Sequence, residues 1–168
     1  MQYTLSSSGV AVGHTALELP TGAPQTLVGF FRPTEAFATV GAPLLALAEQ
    51  FASLSAGMGD AMPPKAELAA LPPEERARRI RAALQDNPSA QALARLHTAV
   101  SALALELRDE QGAVVPTSGV LIAPFPLAAS LPLGVAPDDL RSIFAETGVA
   151  GADFIIVVTR ARPQNGAA

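Results

Sequence analysis

The chain has 168 residues, 49% of them hydrophobic and only 15% charged, with a formal net charge of −4 and a pI near 5.1. That length suits one domain, which buries roughly 70% of the surface its unfolded chain exposes. The absence of cysteine excludes disulfides, thiolate nucleophiles and sulfur-ligated metal sites, and an acidic chain offers no field that would draw in nucleic acid.

In chain order, Tyr3 and Leu5 alternate with polar residues, Ser6 to Gly9 supply turn chemistry, and Val10 and Val12 resume the alternation. After Gly13 the apolar positions become Leu17 and Leu19. This change of parity predicts a one-residue bulge at Gly13 or His14. Residues 20 to 24 read as a loop, and Thr26 to Phe31 as a hairpin partner. From Pro33, the run Thr34 to Leu54 is predicted helical with an interruption at Gly41-Ala42-Pro43, where proline kinks or restarts a helix. Leu44, Leu47, Ala48, Phe51 and Leu54 give it a broad apolar stripe. Residues 55 to 64, rich in small side chains and ending in two prolines, are expected to form a flexible connector.

Lys65 to Ala70 suits one or two helical turns. Pro72-Pro73 opens the clearest helix, running to Gln85, with Glu74–Arg78 and Glu75–Arg79 spaced four apart and Ala77, Ile80 and Leu84 as its expected buried face. Asn87-Pro88 reads as the cap and first position of another helix, to about Ser101. Leu103, Leu105 and Leu107 alternate as a half-buried strand, Asp109 to Gly112 turn, and Ala113 to Val115 return. Val120 to Ile122 is apolar enough for a fully buried strand, and Pro124 to Pro132 reads as extended loop or edge. Pro137 opens a last helix that ends at Gly148. Phe154 to Val158 is an uninterrupted apolar run suited to a central strand, and residues 163 to 168 are expected to be a disordered tail.

These elements predict a single α+β domain over residues 1 to 162. Its sheet is expected to be mixed or mostly antiparallel, with about five to seven short strands packed by three to five helices. The uncharged stretch Gln111 to Pro137 is long enough to span a membrane, but its five prolines oppose a continuous helix, so no membrane association is expected. With no basic, apolar leader at Met1-Gln2-Tyr3-Thr4, a cytoplasmic location is expected.

Motifs for catalysis are absent: there is no nucleophile elbow, and Gly148-Val149-Ala150-Gly151 follows a helix and precedes a strand, the reverse of a dinucleotide loop. Of the two histidines, His14 is the better candidate for chemistry, because a bulge beside Gly13 would re-aim it. Its plain reading is a polar residue on the solvent face of a strand. His97, at helical spacing from Leu93 and Val100, reads as a histidine at the core margin. No cofactor or metal is implied. Arg76 and Arg81 lack acidic partners one turn earlier and are expected to be free to meet a partner's carboxylates.

The distribution of charge points furthest. Of 26 charged residues, four lie in residues 1–59, fifteen in 60–110, none in 111–137 and seven from 138 onward. Depletion of charge is what interface cores show. The sequence is therefore read as a non-enzymatic interaction or assembly subunit, self-associating through Gln25 to Phe51 and Val120 to Val135, with Phe30, Phe31, Leu121 and Phe125 as contact residues. The expected partner is another protein or a second copy in a homo-oligomer. The alternative is a small enzyme or hydrophobic-ligand-binding protein with a cleft near His14.

Overall fold

The computed structural model describes residues 1–19, 25–61, 65–85, 87–128, 131 and 154–161. The N-terminal alternation forms β1 (Gln2–Ser7) and β2 (Val10–Glu18). Between them Ser8 and Gly9 both have positive φ, 50° and 83°, as a two-residue hairpin turn matched to strand twist requires. The bulge is present one position earlier than expected. Leu5 faces Gly13 while Ser6 faces Ala11, so Val12 is the additional residue and His14 stays in the ladder opposite Thr4. Val12 is 1% exposed, so the bulge turns an apolar side chain into the core.

After β3 (Thr26–Pro33) comes α1 (Phe37–Ala61). It runs through Pro43 without the expected interruption, and it takes in Ser55 to Ala61, which the sequence assigns to the connector. Proline deprives the helix of one hydrogen bond to the carbonyl four residues earlier. Burial of Val40, Leu44, Leu47 and Ala48 around it outweighs that loss. Then follow α2 (Lys65–Ala69), α3 (Pro73–Gln85) and α4 (Pro88–Ser101). The C-terminal half holds β4 (Leu105–Asp109), β5 (Val114–Val115), β6 (Thr117–Pro124), α5 (Phe125–Ala128) and β7 (Phe154–Arg160). Phe125 to Ala128, expected as loop or edge, is thus one helical turn. The last helix expected from Pro137 to Gly148 and the tail from residue 163 lie outside the described residues.

Among the described residues all strands pair antiparallel in one sheet of seven, in the order β5-β4-β1-β2-β3-β7-β6, and together with the helices they make the expected α+β domain. β5 and β6 stand at opposite ends of that order, yet only Pro116 separates them in the chain. The sheet must therefore curl until its two edges meet at Pro116. A hydrogen bond of 3.1 Å from the Ala161 N–H to the Pro116 carbonyl ties β7 to that corner. Proline suits the position because it has no N–H to leave unpaired where the segment passes from β4 to β7.

One face of the curled sheet carries Leu5, Leu17, Leu27, Phe31, Leu107, Ile122, Ile156 and Val158, packed with Phe37, Val40, Leu44 and Leu47 of α1 and Val100 of α4. A second cluster, with Val28, Ala123, Ala128, Ile155 and Val157, takes Ala48, Phe51 and Ala52 from α1. A helix that serves both clusters lies along a sheet edge rather than flat on one face, and the strand it borders is β6. This accounts for its hydropathy. The span Phe37–Ala56 is long and apolar enough by composition to cross a membrane, with mean hydropathy 1.3, and in this fold its apolar side chains supply both clusters. Parts of the uncharged stretches lie in the interior of the domain, among them Leu27, Val28, Phe31, Leu44, Leu47, Ala48, Ile122 and Ala123, whereas Gln111 to Val114, Pro116 and Ser118 are exposed.

Candidate functional site

Between α1, α4 and the end of the sheet where β3, β7 and β6 lie side by side is a cleft of about 570 Å³, open to solvent. Its α4 wall is a stripe at helical spacing, Leu93, His97, Val100 and Ser101, continued by Ala104. Asn87 sets where that helix begins. Its side-chain oxygen accepts from the N–H groups of Ser89 and Ala90 at 2.9 and 3.3 Å, and Pro88 occupies the first turn, where an N–H is not needed. The Gln50 amide donates to the Ser89 carbonyl at 3.3 Å, joining α4 to α1. At the other end Ala104 has φ 47°, and the Ser7 hydroxyl donates to the Leu103 carbonyl at 2.7 Å, which pins the turn to β1.

The sheet wall changes character along the strands. Thr26, Thr159 and Gly119 stand abreast on β3, β7 and β6, and two residues further in Val28, Val157 and Leu121 form the next row. Of that second row, Val157 and Leu121 line the cleft together with Leu47 and Phe51 of α1. The polar end is shaped by an irregularity in β6. Thr117 pairs with Arg160 and Gly119 with Thr159, so Ser118 is the extra residue. Its hydroxyl lies 3.4 Å from the carbonyls of both Thr159 and Arg160. The Ser101 hydroxyl donates back to the His97 carbonyl at 2.8 Å. The hydroxyls of Thr26, Thr117 and Thr159 bond to no described residue.

The residues singled out from the sequence are dispersed. His14 lies exposed on β2, with its Nδ1 3.2 Å from the Thr4 hydroxyl on one side and Arg32 as its cross-strand neighbour on the other. It does not line the cleft. Phe31 is fully buried, its ring tilted against Phe37 with centroids 5.3 Å apart, so it is part of the core and offers no contact surface. Phe30, its neighbour in the chain, points to the other face and is half-buried. Leu121 lines the cleft, and Phe125 is exposed at the start of α5.

Arg76 is not free. Its guanidinium donates to the carbonyls of Leu68 and Leu71 at 2.9 and 3.1 Å, where α2 ends and its carbonyls lack helical partners. Arg81 is exposed and pairs with no described residue. The two i,i+4 pairs expected on α3 are replaced. Arg78 meets Glu75, and Arg79 reaches Glu67 on α2. Of the apolar face expected on α3, Ala77 is exposed and Ile80 half-buried, and the Leu84 side chain lies outside the described residues.

The cleft-lining histidine is His97, which the sequence places at the core margin. Its spacing with Leu93, Val100 and Ser101 is visible in the chain, but nothing there says that β6 and β7 stand opposite. Among the described residues no group of three or more histidine, aspartate or glutamate side chains stands together. Compared with known proteins, the chain matches no family model, no curated protein and no solved structure.

Proposed function

We propose that the protein binds a small, mainly apolar molecule in the cleft between α1, α4 and the β3–β7–β6 wall. The observation that carries this reading is the cleft's composition. Its volume of about 570 Å³ falls within the range of roughly 300–1,000 Å³ that suits small ligands. Apolar walls from Leu47, Phe51, Leu93, Leu121 and Val157 meet a few hydroxyls and one imidazole. Such surroundings favour hydrocarbon by water exclusion and orient it through a small number of polar contacts. Self-association, by contrast, drew its support from the uncharged stretches, and Leu27, Val28, Leu44, Leu47 and Ile122 of those stretches are core residues. Among the described residues, the large apolar side chains exposed for such contacts are Met1, Val10, Leu19, Val114 and Phe125.

The test is to fill the cleft. Leu121→Trp adds an indole ring at a half-buried position on its wall. Binding of the uncharged fluorescent probe Nile red to the purified protein should weaken at least about tenfold in the variant, while circular dichroism stays unchanged. Equal affinity in the two proteins would remove the cleft as the binding site.

A further inference from the structure

On the reading that this cleft takes an apolar molecule, we infer its chemical class: an uncharged amphiphile whose hydroxyl or carbonyl group sits over Gly119 against Thr26 and Thr159. Three observations place the polar group there. Thr26 and Thr159 are directly opposed on antiparallel β3 and β7, on the same face of the sheet, and both line the cleft. Opposed side chains in such a pair have Cβ atoms about 5 Å apart, close enough for two hydroxyls to reach one bound oxygen. Gly119 is the third residue in that row, and a Cβ added to it would meet nothing within 4 Å, so the space beside Thr159 is open. The next row inward is Val157 and Leu121, with Leu47 and Phe51 facing the same space. A ligand with one polar end and a hydrocarbon body matches this sequence of surfaces.

The chemistry of the polar end selects the head group. Each threonine hydroxyl both donates and accepts, which complements an alcohol or carbonyl as well. No Asp, Glu, Lys or Arg is among the described residues that line the cleft, so an ionised carboxylate or ammonium finds no counter-charge there, and hydroxyls return only part of the hydration it gives up. The polar groups supplied here are three threonine hydroxyls, two serine hydroxyls already engaged with backbone carbonyls, and the His97 imidazole.

The experiment is competition against Nile red by three ten-carbon probes: decan-1-ol, decanoate and decylammonium. They are tested on the unaltered protein, on the double variant Thr26→Val/Thr159→Val and on Gly119→Val. Decan-1-ol is expected to displace the dye at roughly tenfold lower concentration than either ion. In the double variant, where valine keeps the shape of threonine, its displacement should weaken about tenfold through loss of the two hydrogen bonds. That loss separates recognition by the hydroxyls from simple hydrophobicity. Gly119→Val should weaken decan-1-ol similarly by occupying that space. Thermal melting by circular dichroism checks that each variant is folded.

Displacement by decanoate or decylammonium at concentrations equal to or below those of decan-1-ol would overturn the assignment of class, as would an unchanged response to decan-1-ol in the double variant. In both cases the cleft remains a binding site. Failure of Nile red to bind, or binding insensitive to Leu121→Trp, would instead overturn the reading on which the assignment rests.

Discussion

Gly13 and Phe31 offer a direct measure of how tightly the concave face is packed. They sit on neighbouring strands, with Gly13 opposite Pro33 and Phe31 opposite Thr15. A methyl group at Gly13 would lie 2.2 and 2.3 Å from Cζ and Cε2 of Phe31, well inside van der Waals contact, and 2.9 Å from the Arg32 carbonyl oxygen. The ring cannot move aside. It is fully buried, and it leans on Phe37, which in turn leans on Phe154 with ring centroids 5.7 Å apart. Gly13→Ala should therefore cost about 1–3 kcal/mol as overpacking. Phe31→Leu alone should cost about 1–2 kcal/mol through lost contact and a lost ring pair. In the double variant the smaller leucine side chain leaves room for the methyl, so the two costs should fall short of their sum by about 1 kcal/mol or more.

Urea unfolding followed by far-ultraviolet circular dichroism measures all four proteins. That signal suits a chain with no tryptophan and one tyrosine. If Gly13→Ala costs the same in the parent and in the Phe31→Leu background, β2 and β3 do not approach as closely as the Gly13–Phe31 contact requires. The same series tests Phe31 as a contact residue between copies. Were its ring such a surface, Phe31→Leu would change self-association and leave the unfolding midpoint at low protein concentration where it was.

Three further outcomes follow from the helix ends and turns. Asn87→Ala removes the acceptor for two N–H groups at the start of α4; it should cost about 1 kcal/mol and lower the thermal midpoint by about 2–4 °C in a calorimetric scan. Ser7→Ala deprives the Leu103 carbonyl of a buried hydroxyl donor, a loss of about 1–2 kcal/mol in urea titration. Arg76→Ala should accelerate amide hydrogen exchange around Leu68 to Leu71, whose carbonyls it holds, whereas Arg81→Ala on the exposed face should stay within about 0.5 kcal/mol of the parent. Equal exchange profiles for the two arginine variants would refute the capping role of Arg76.

Much of the secondary structure is written locally. Leu105 and Leu107 repeat at a period of two, Asn87-Pro88 announces a helix start, and Ser8-Gly9 supplies the positive φ of a hairpin. Such signals involve neighbours within a few residues, so they survive without knowledge of the fold. The departures also have a common origin. Pro43 reads as a break because local chemistry penalises it, and only the burial of Leu44 and Ala48 against β6 and its surroundings reverses the balance. Arg76 looks free in the sequence because its partners are backbone carbonyls in and just beyond another helix, and carbonyls leave no trace in a sequence.

The sequence by itself determined the class of the fold, the order of strands and helices from β1 to β6, and the uneven placement of charge. Tertiary structure decided which residues of the uncharged stretches are buried. Because β5 and β6 are separated only by Pro116, the sheet must curl, and its curl together with α1 draws β3, α1 and β6 around one interior. It also decided which histidine faces a cavity, since Thr26, His97 and Thr159 are far apart in the chain and meet only when β7 inserts between β3 and β6. Periodicity records which side of an element is apolar. It does not record what that side will face, because pairing partners are chosen by non-local burial.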